Sequence, residues 1–406
     1  MSNRRKIVIV GGGQAGGRAA LAARSTDPSA DITVVAKEAF APYERPILSK
    51  AMLLDAETKV PYVFDEAAAR EQGIQLRLGE TVTHINRAAK IASLEQGGDL
   101  AYDSLILATG SKLRRISLEG ADESAVHYLR SMGDCIKLRE QLNPGRRLAV
   151  IGGGFIGLEV AATAQKLGCA VTIVEAGETL LPRIGSPAVS ARVQKYHSDS
   201  GVQFLFGVQA SAFKDGGLQL SDGTVLPTDM ILVGIGVDPE TSLAEAAGLS
   251  IENGIKTDSF GRTSDPDVFA IGDAVNQMNP AYGRHMRLES WENANVQGDA
   301  AGRSAAGQLT EVSTTPWFWS DQGDLNIQIL GMLDADRPAV ERISEDGGVT
   351  LVQLTGNKIT GAVTLNQARD MPLLRRMIAD PEFFGDEATF ADSDVPLRKI
   401  MKAARR

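Results

Sequence analysis

The chain has 406 residues, 43% of them hydrophobic and 23% charged, with a mean hydropathy of −0.09. That length exceeds a single ordinary core, so two or three domains are expected. A net charge of −9, from 42 Lys and Arg against 51 Asp and Glu, lacks the basic footprint of a nucleic-acid binder, and no stretch nears the roughly 18 apolar residues of a membrane span.

The start, Met1-Ser2-Asn3-Arg4-Arg5-Lys6, is basic, but the apolar run after it is short and ends in glycine. It reads as a first strand and not as a signal-peptide core, so the expected compartment is the cytoplasm. That strand, Ile7-Val8-Ile9-Val10, leads into Gly11-Gly12-Gly13-Gln14-Ala15-Gly16, an Ala-rich helix over 14–26 and a second strand, Ile32-Thr33-Val34-Val35. Residues 40–50 read as a loop. A helical stretch from Asp65 to Gln72 precedes short strands near 74–78 and 81–86. Leu105-Ile106-Leu107-Ala108-Thr109-Gly110 reads as a buried strand ending in a turn, and Met132 to Leu142 as a helix.

The opening pattern then recurs. Leu148-Ala149-Val150-Ile151 leads into Gly152-Gly153-Gly154-Phe155-Ile156-Gly157, a helix to Leu167, and the strand Val171-Thr172-Ile173-Val174-Glu175. Strands are expected at 202–205 and 230–235. Val268 to Asp273 and a helix over about 290–307 read as a return to the first domain. The alternation over 325–363 predicts antiparallel strands, and Pro396 to Arg406 a basic helical tail.

Each glycine run sits between a strand and a helix. A helix start offers free N–H groups and the positive end of the dipole, which suit a pyrophosphate. The first Gly permits the turn, the second lets the backbone approach the phosphates, and the third lets helix and strand pack closely. One such turn is weak evidence, because many βα turns bind nothing. Two in strand–helix context point to a bound redox cofactor and a second dinucleotide that reduces it. The candidate phosphate-binding residues are Gly11, Gly13, Ala15 and Gly16 in the first turn, and Gly152, Gly154, Phe155, Ile156 and Gly157 in the second.

Cys135 and Cys169 form no CxxC, which argues for two reduced thiols and against a local dithiol or zinc site. His84, His127, His197 and His285 lack ligand spacing and read as structural or exposed, so no metal is expected. Glu175 closes the second βαβ unit about 20 residues past its glycines, where an acid bonds the ribose 2′-hydroxyl. A carboxylate there repels a 2′-phosphate, and Ala176-Gly177-Glu178 supplies no Arg to receive one. NADH is therefore expected over NADPH.

An ordered set of further motifs resembles the flavin-dependent ferredoxin reductases of bacterial oxygenase systems, nearly end to end. The set comprises Pro42-Tyr43-Glu44-Arg45-Pro46-Ile47-Leu48-Ser49-Lys50, Leu107 to Gly110, Tyr128-Leu129-Arg130, Gly152 through Glu159, Ala270-Ile271-Gly272-Asp273 and Pro316-Trp317-Phe318-Trp319-Ser320-Asp321-Gln322. The resemblance implies an α/β fold of the glutathione-reductase type, with two Rossmann-like dinucleotide-binding domains and an α+β C-terminal domain. The implied parts are an FAD domain in two pieces (1–112 and 245–312), an NADH domain between them (113–244) and a C-terminal interface domain (313–406).

By the same likeness, Ala15, Lys37, Lys50, Val82, Arg130, Asp273 and Trp291 stand where the family contacts FAD. Arg45, Ala108, Thr109 and Gly110 belong to the implied FAD motifs, and Gly236 to the NADH side. Lys50 and Glu159 look like a charge pair at the reacting centre, with Lys50 by the flavin and Glu159 by the nicotinamide; the bland alternative is a surface ion pair. Trp319 is placed beside the flavin ring, near where a ferredoxin docks, with a stacking and electron-exit role; the alternative is core packing.

The chain departs from the family at two points. The family often has an acid at the end of the second strand, where this chain reads Ala36-Lys37-Glu38. Either Glu38 takes over, or backbone and Lys37 hold the adenosine ribose. Ile47 also replaces a common proline, read as a packing change near the flavin ring. The implied activity is hydride transfer from NADH to FAD, then single electrons to a [2Fe-2S] ferredoxin that feeds a monooxygenase or dioxygenase. Arg183, Arg284, Arg287, Arg303, Lys399, Lys402, Arg405 and Arg406 are candidate contacts for that partner. The alternatives are a rubredoxin reductase, an NADH oxidase or quinone reductase on the same fold, or a non-catalytic NADH-sensing flavoprotein. The protein is expected to be a monomer or homodimer.

Overall fold

Strand Lys6–Val10 is apolar on both faces because both faces of its sheet are covered. Ile7 and Ile9 point into one core with the helices, while Val8 and Val10 point into another. A computed structural model of the chain describes residues 4–214 and 216–403, so the expected contacts Arg405 and Arg406 and the leading Met1-Ser2-Asn3 lie outside the described residues. The fold divides into two units. The first runs to Ile47 and takes in Lys59–Leu113 and Val237–Thr314; the second comprises Leu48–Thr58, Arg114–Gly236 and the chain from Thr315.

In the first unit, five parallel strands lie in the order Val268–Ala270, Ser104–Leu107, Lys6–Val10, Asp31–Ala36, Ile74–Leu78. Helices Gln14–Thr26 and Trp291–Ala305 share the Ile7 and Ile9 core. They pack closely because the facing residues are small. A Cβ on Gly298 would lie 2.6 Å from the Ala15 carbonyl oxygen, and one on Gly302 would collide with that of Ala19. Arg18 closes the helix pair with Asp299 at 2.8 Å. An antiparallel sheet of Val82–Asn86, Ile91–Leu94 and Asp99–Ala101 helps form the opposite core.

The second unit repeats the plan. Five parallel strands run in the order Gln203–Phe206, Ala170–Glu175, Arg147–Ile151, Met230–Val233, Val126–His127. The same unit holds a five-stranded antiparallel sheet in the order Trp317–Gln322, Leu325–Gly331, Lys358–Leu365, Val349–Thr355, Val340–Ile343. Helices Met371–Ala379, Glu387–Ala391 and Leu397–Ala403 bury their apolar residues against it.

Residues 40–50 are not simply a loop. Arg45–Ser49 forms a 3-10 helix, continued by a short helix Ala51–Leu54. Pro46 sets a φ that suits the first turn of a helix and lacks an N–H that would be unsatisfied there. Helix Pro187–Asp199 is a second element that the sequence reading passes over.

Candidate functional site

The two glycine turns are built alike. Gly11 (φ +119°) and Gly152 (φ +105°) both occupy backbone conformations that L side chains rarely adopt. A Cβ on Gly11 would collide with the Ala108 carbonyl, and one on Gly152 would lie 2.7 Å from the Gly234 oxygen. Gly13 and Gly154 cap the helices that follow, with no side-chain cap on the orphan N–H groups. Nothing stands within 4 Å of a Cβ on Gly13, and only the Gly234 oxygen, at 3.9 Å, near one on Gly154. Uncapped helix starts with room in front of them suit an anionic pyrophosphate, so the residues of both turns fit a dinucleotide.

The same hydrogen bond recurs inside each unit and aligns their sequences. Gly11 donates to the Val35 oxygen at 2.8 Å, and Gly152 to the Val174 oxygen at 2.8 Å. Ala36 is therefore the counterpart of Glu175. In the second unit the acid is present, and its geometry is set in advance. The Gly153 N–H donates to Oε2 and the Gly177 N–H to Oε1, both at 2.7 Å.

In the first unit an alanine stands at that place, and Gly12 abuts its Cβ. The acid lies two residues on. Glu38 accepts from Tyr43 Oη at 2.8 Å and from Arg45 Nη2 at 2.6 Å. Burial works against the Arg45 charge, but Tyr43, Glu38 and Asp273 outweigh it and raise its pKa above the ordinary value. Glu38 is thus tied to the Tyr43–Arg45 motif, while Lys37 is exposed. The part Tyr43 plays was not read from the sequence.

Other expected residues of the first unit gather around the strand ends. Asp273 lies in the one-turn 3-10 helix Gly272–Ala274 after Val268–Ala270 and accepts from Ser111 Oγ at 3.1 Å. Gly272 beside it donates to Gln297 Oε1 at 2.6 Å, linking that turn to the helix begun by Trp291. Thr109 Oγ1 donates to the Glu240 oxygen at 2.6 Å, and Gly110 (φ +71°) turns the chain. The Val82 side chain is core, leaving only its backbone for a ligand.

In the second unit, Lys50 Nζ meets Glu159 Oε2 at 2.7 Å. The Glu159 side chain is 4% exposed, so this is no surface ion pair. Ser49 Oγ donates to the same carboxylate oxygen, and Ser320 Oγ donates to Oε1 at 2.7 Å. Neither serine was among the expected site residues. Phe155, at the start of the same helix, meets Phe318 edge-on with ring centroids 4.6 Å apart. Trp319 stacks on Trp317 at 5.2 Å, and Arg375 caps the Trp317 ring. The backbone N–H of Arg130 donates to Asp134 at 3.1 Å, and Gly236 (φ +102°) lies near the Arg114 and Arg183 guanidiniums. Among the expected basic contacts, Arg287 is ion-paired with Glu289, while Arg183, Arg284, Arg303, Lys399 and Lys402 are exposed.

Both cysteines are buried and unpaired by disulfide. Among the described residues no His, Cys, Asp and Glu cluster has the makings of a metal site, and no helix is long and apolar enough to cross a membrane.

Comparison with known proteins agrees with this geometry. The chain is 40% identical over 394 residues to the anthranilate 1,2-dioxygenase system ferredoxin–NAD(+) reductase component of Burkholderia cepacia, covering 94% of this chain and 97% of that one. It is 38% identical over 379 residues to the 3-phenylpropionate/cinnamic acid dioxygenase ferredoxin–NAD(+) reductase component of Photorhabdus laumondii, covering 92% and 96%. The reductase in the crystal structure of a covalent putidaredoxin reductase–putidaredoxin complex superposes with a TM-score of 0.94 at 33% identity, covering 99% of each chain. Residues 317–401 match the Reductase C-terminal family. Residues 5–298, which contain both glycine turns, match the pyridine nucleotide-disulphide oxidoreductase family, and to that family the chain belongs.

Proposed function

We propose that the chain is an NADH-dependent ferredoxin reductase of an oxygenase system, which takes a hydride from NADH onto FAD and delivers electrons singly to a [2Fe-2S] ferredoxin. The ferredoxin would serve a monooxygenase or a ring-hydroxylating dioxygenase. The observation that carries this is the repeated glycine turn, one copy in each of two parallel sheets, with the acid present at Glu175 and replaced at Ala36. FAD supplies the step from a two-electron donor to one-electron deliveries, and the protein supplies binding, orientation and field.

In this reading the FAD domain comprises 1–112 and 245–312, the NADH domain 113–244 and the interface domain 313–406. The turn Gly11–Gly16 holds the FAD pyrophosphate. Asp273 accepts from the ribityl chain, and Glu38, held by Tyr43 and Arg45, replaces the missing strand-end acid. The turn Gly152–Gly157 holds the NADH pyrophosphate, and Glu175 accepts from the adenosine ribose. Lys50 places a cation at the flavin and Glu159 orients it. Trp319, on the Trp317 stack, lies on the route by which electrons leave. Drawing on NADH, such a reductase works in the cytoplasm.

The test is NADH-driven bleaching of a panel of [2Fe-2S] ferredoxins, set against reduction of a small dye. The reading requires at least one ferredoxin to be reduced at about 1–1,000 per second, the range of ordinary enzymes. Dye reduction with no ferredoxin reduced would refute it.

A further inference from the structure

Strand Trp317–Gln322 has two working faces. Side chains alternate along a strand, so Trp317 and Trp319 share one face and Phe318, Ser320 and Gln322 the other. The second face meets a stripe on helix Phe155–Lys166. Phe155, Glu159 and Thr163 recur every four residues, about 6 Å apart along the helix, and alternate strand residues recur at about 6.6 Å. The near match of spacings lets Phe318 meet Phe155 while Ser320 meets Glu159. Thr163 donates to the Ser49 backbone oxygen at 2.8 Å, fixing the segment that carries Ser49 and Lys50.

Behind Ser320 the contacts continue. Gln322 Nε2 donates to Ser320 Oγ at 3.1 Å, and Gln322 Oε1 lies 2.7 Å from His197 Nε2. Ser320, Gln322 and His197 are all 0% exposed. The direction of every bond follows from the carboxylate. Ionised Glu159 can only accept, so Ser320 must donate to it. Ser320 can then accept from the Gln322 amide, whose own oxygen needs a donor, and His197 Nε2–H supplies it. His197 Nδ1 has no hydrogen-bond partner among the described residues, as this tautomer allows. Burial, outweighing the Gln322 hydrogen bond, lowers the His197 pKa and keeps the ring neutral. Helix Pro187–Asp199, which carries His197, also fixes the far end of the strand, because Tyr196 Oη accepts from the Asp324 N–H at 2.8 Å.

We propose that His197, Gln322 and Ser320 form a one-directional hydrogen-bond relay that positions the Glu159 carboxylate, and through it the Lys50 ammonium, for the reaction with NADH. They are positioning residues, since none is placed against the reactants. This inference rests on the functional reading above, in which Lys50 and Glu159 serve the reacting centre. It adds that the strand bearing Trp319 is the same strand that sets this pair.

The test is a double-mutant cycle on the holoenzyme, read by stopped-flow reduction of the flavin by NADH. Ser320→Ala removes a charge-assisted bond and is expected to slow reduction about tenfold while FAD content stays unchanged. On a Glu159→Gln background the same change should alter the rate less than about twofold, because its effect passes through Glu159. His197→Phe should slow reduction, and His197→Gln, which keeps an N–H near the place of Nε2, should restore it. A readout independent of turnover is the imidazole ¹⁵N spectrum of His-labelled protein, which should show the Nε2–H tautomer of His197, shifted by Glu159→Gln. Full additivity in the cycle, an unchanged rate in Ser320→Ala, or an Nδ1–H tautomer would overturn the relay while leaving the reductase reading intact. A wild-type flavin that NADH leaves oxidised would overturn both.

Discussion

The proposed role of Glu175 in choosing the dinucleotide rests on a carboxylate whose position is fixed by its own backbone contacts. Its two oxygens take the Gly153 and Gly177 N–H groups, leaving the remaining lone pairs for ribose hydroxyls. Glu175→Ala should raise the KM for NADH about tenfold, the scale of a lost charged hydrogen bond, while flavin content stays unchanged. Steady-state kinetics beside the visible spectrum will check both halves. The cysteines give a second test at this scale. Burial pushes the Cys135 thiol up to about 11, with Arg139 opposing, and raises Cys169 as well. The thiolate is the nucleophile, so at pH 7–8 both groups stay protonated and inert. A disulfide-exchange reagent should find almost no thiol in the folded protein and both after denaturation. The family name includes a disulfide, and a fast-reacting native thiol would contradict the absence of one from this chemistry.

At the scale of elements, what was legible in the sequence depended on how local the signal is. The glycine turns, their flanking strands and the acid at Glu175 lie within single βαβ units, so spacing alone marks them. The 3-10 helix Arg45–Ser49 was not legible, since its proline and charges suit a loop equally well. Ser320, Gln322 and His197 were out of reach for another reason. His197 and Gln322 are 125 positions apart and Glu159 and Ser320 are 161 apart, so only the packed sheet reveals them. The pairing of helices Gln14–Thr26 and Trp291–Ala305 is likewise non-local, although glycine spacing hints at it. Gly302→Val would push into the Ala19 carbonyl and should cost about 1–3 kcal/mol of stability, measured by urea unfolding. Because the first helix begins at the Gly13 cap, the same variant should also lose flavin on dialysis. On strand Trp317–Gln322, Trp319→Ala should impair ferredoxin reduction more than dye reduction. Equal losses with both acceptors would make the residue part of the core only.

For the whole molecule, a net charge of −9 provides no general attraction to an acidic protein. We therefore expect recognition of a ferredoxin to rest on local features, with Arg375 over the Trp317 ring as the candidate. Contacts of that kind are short-ranged, so ferredoxin reduction should depend only modestly on salt across about 0.05–0.2 M, where the Debye length shortens from about 14 to 7 Å. A rate that collapses over that range would mean long-range steering by exposed basic residues instead.

The most direct measurement is anaerobic titration of the purified protein with NADH under a visible spectrophotometer. The account predicts a yellow protein with bound FAD whose absorbance bleaches on adding one equivalent of NADH and recovers when an oxidised [2Fe-2S] ferredoxin is supplied. A colourless protein that takes up no flavin on reconstitution, or a yellow one that NADH leaves unchanged, would contradict it.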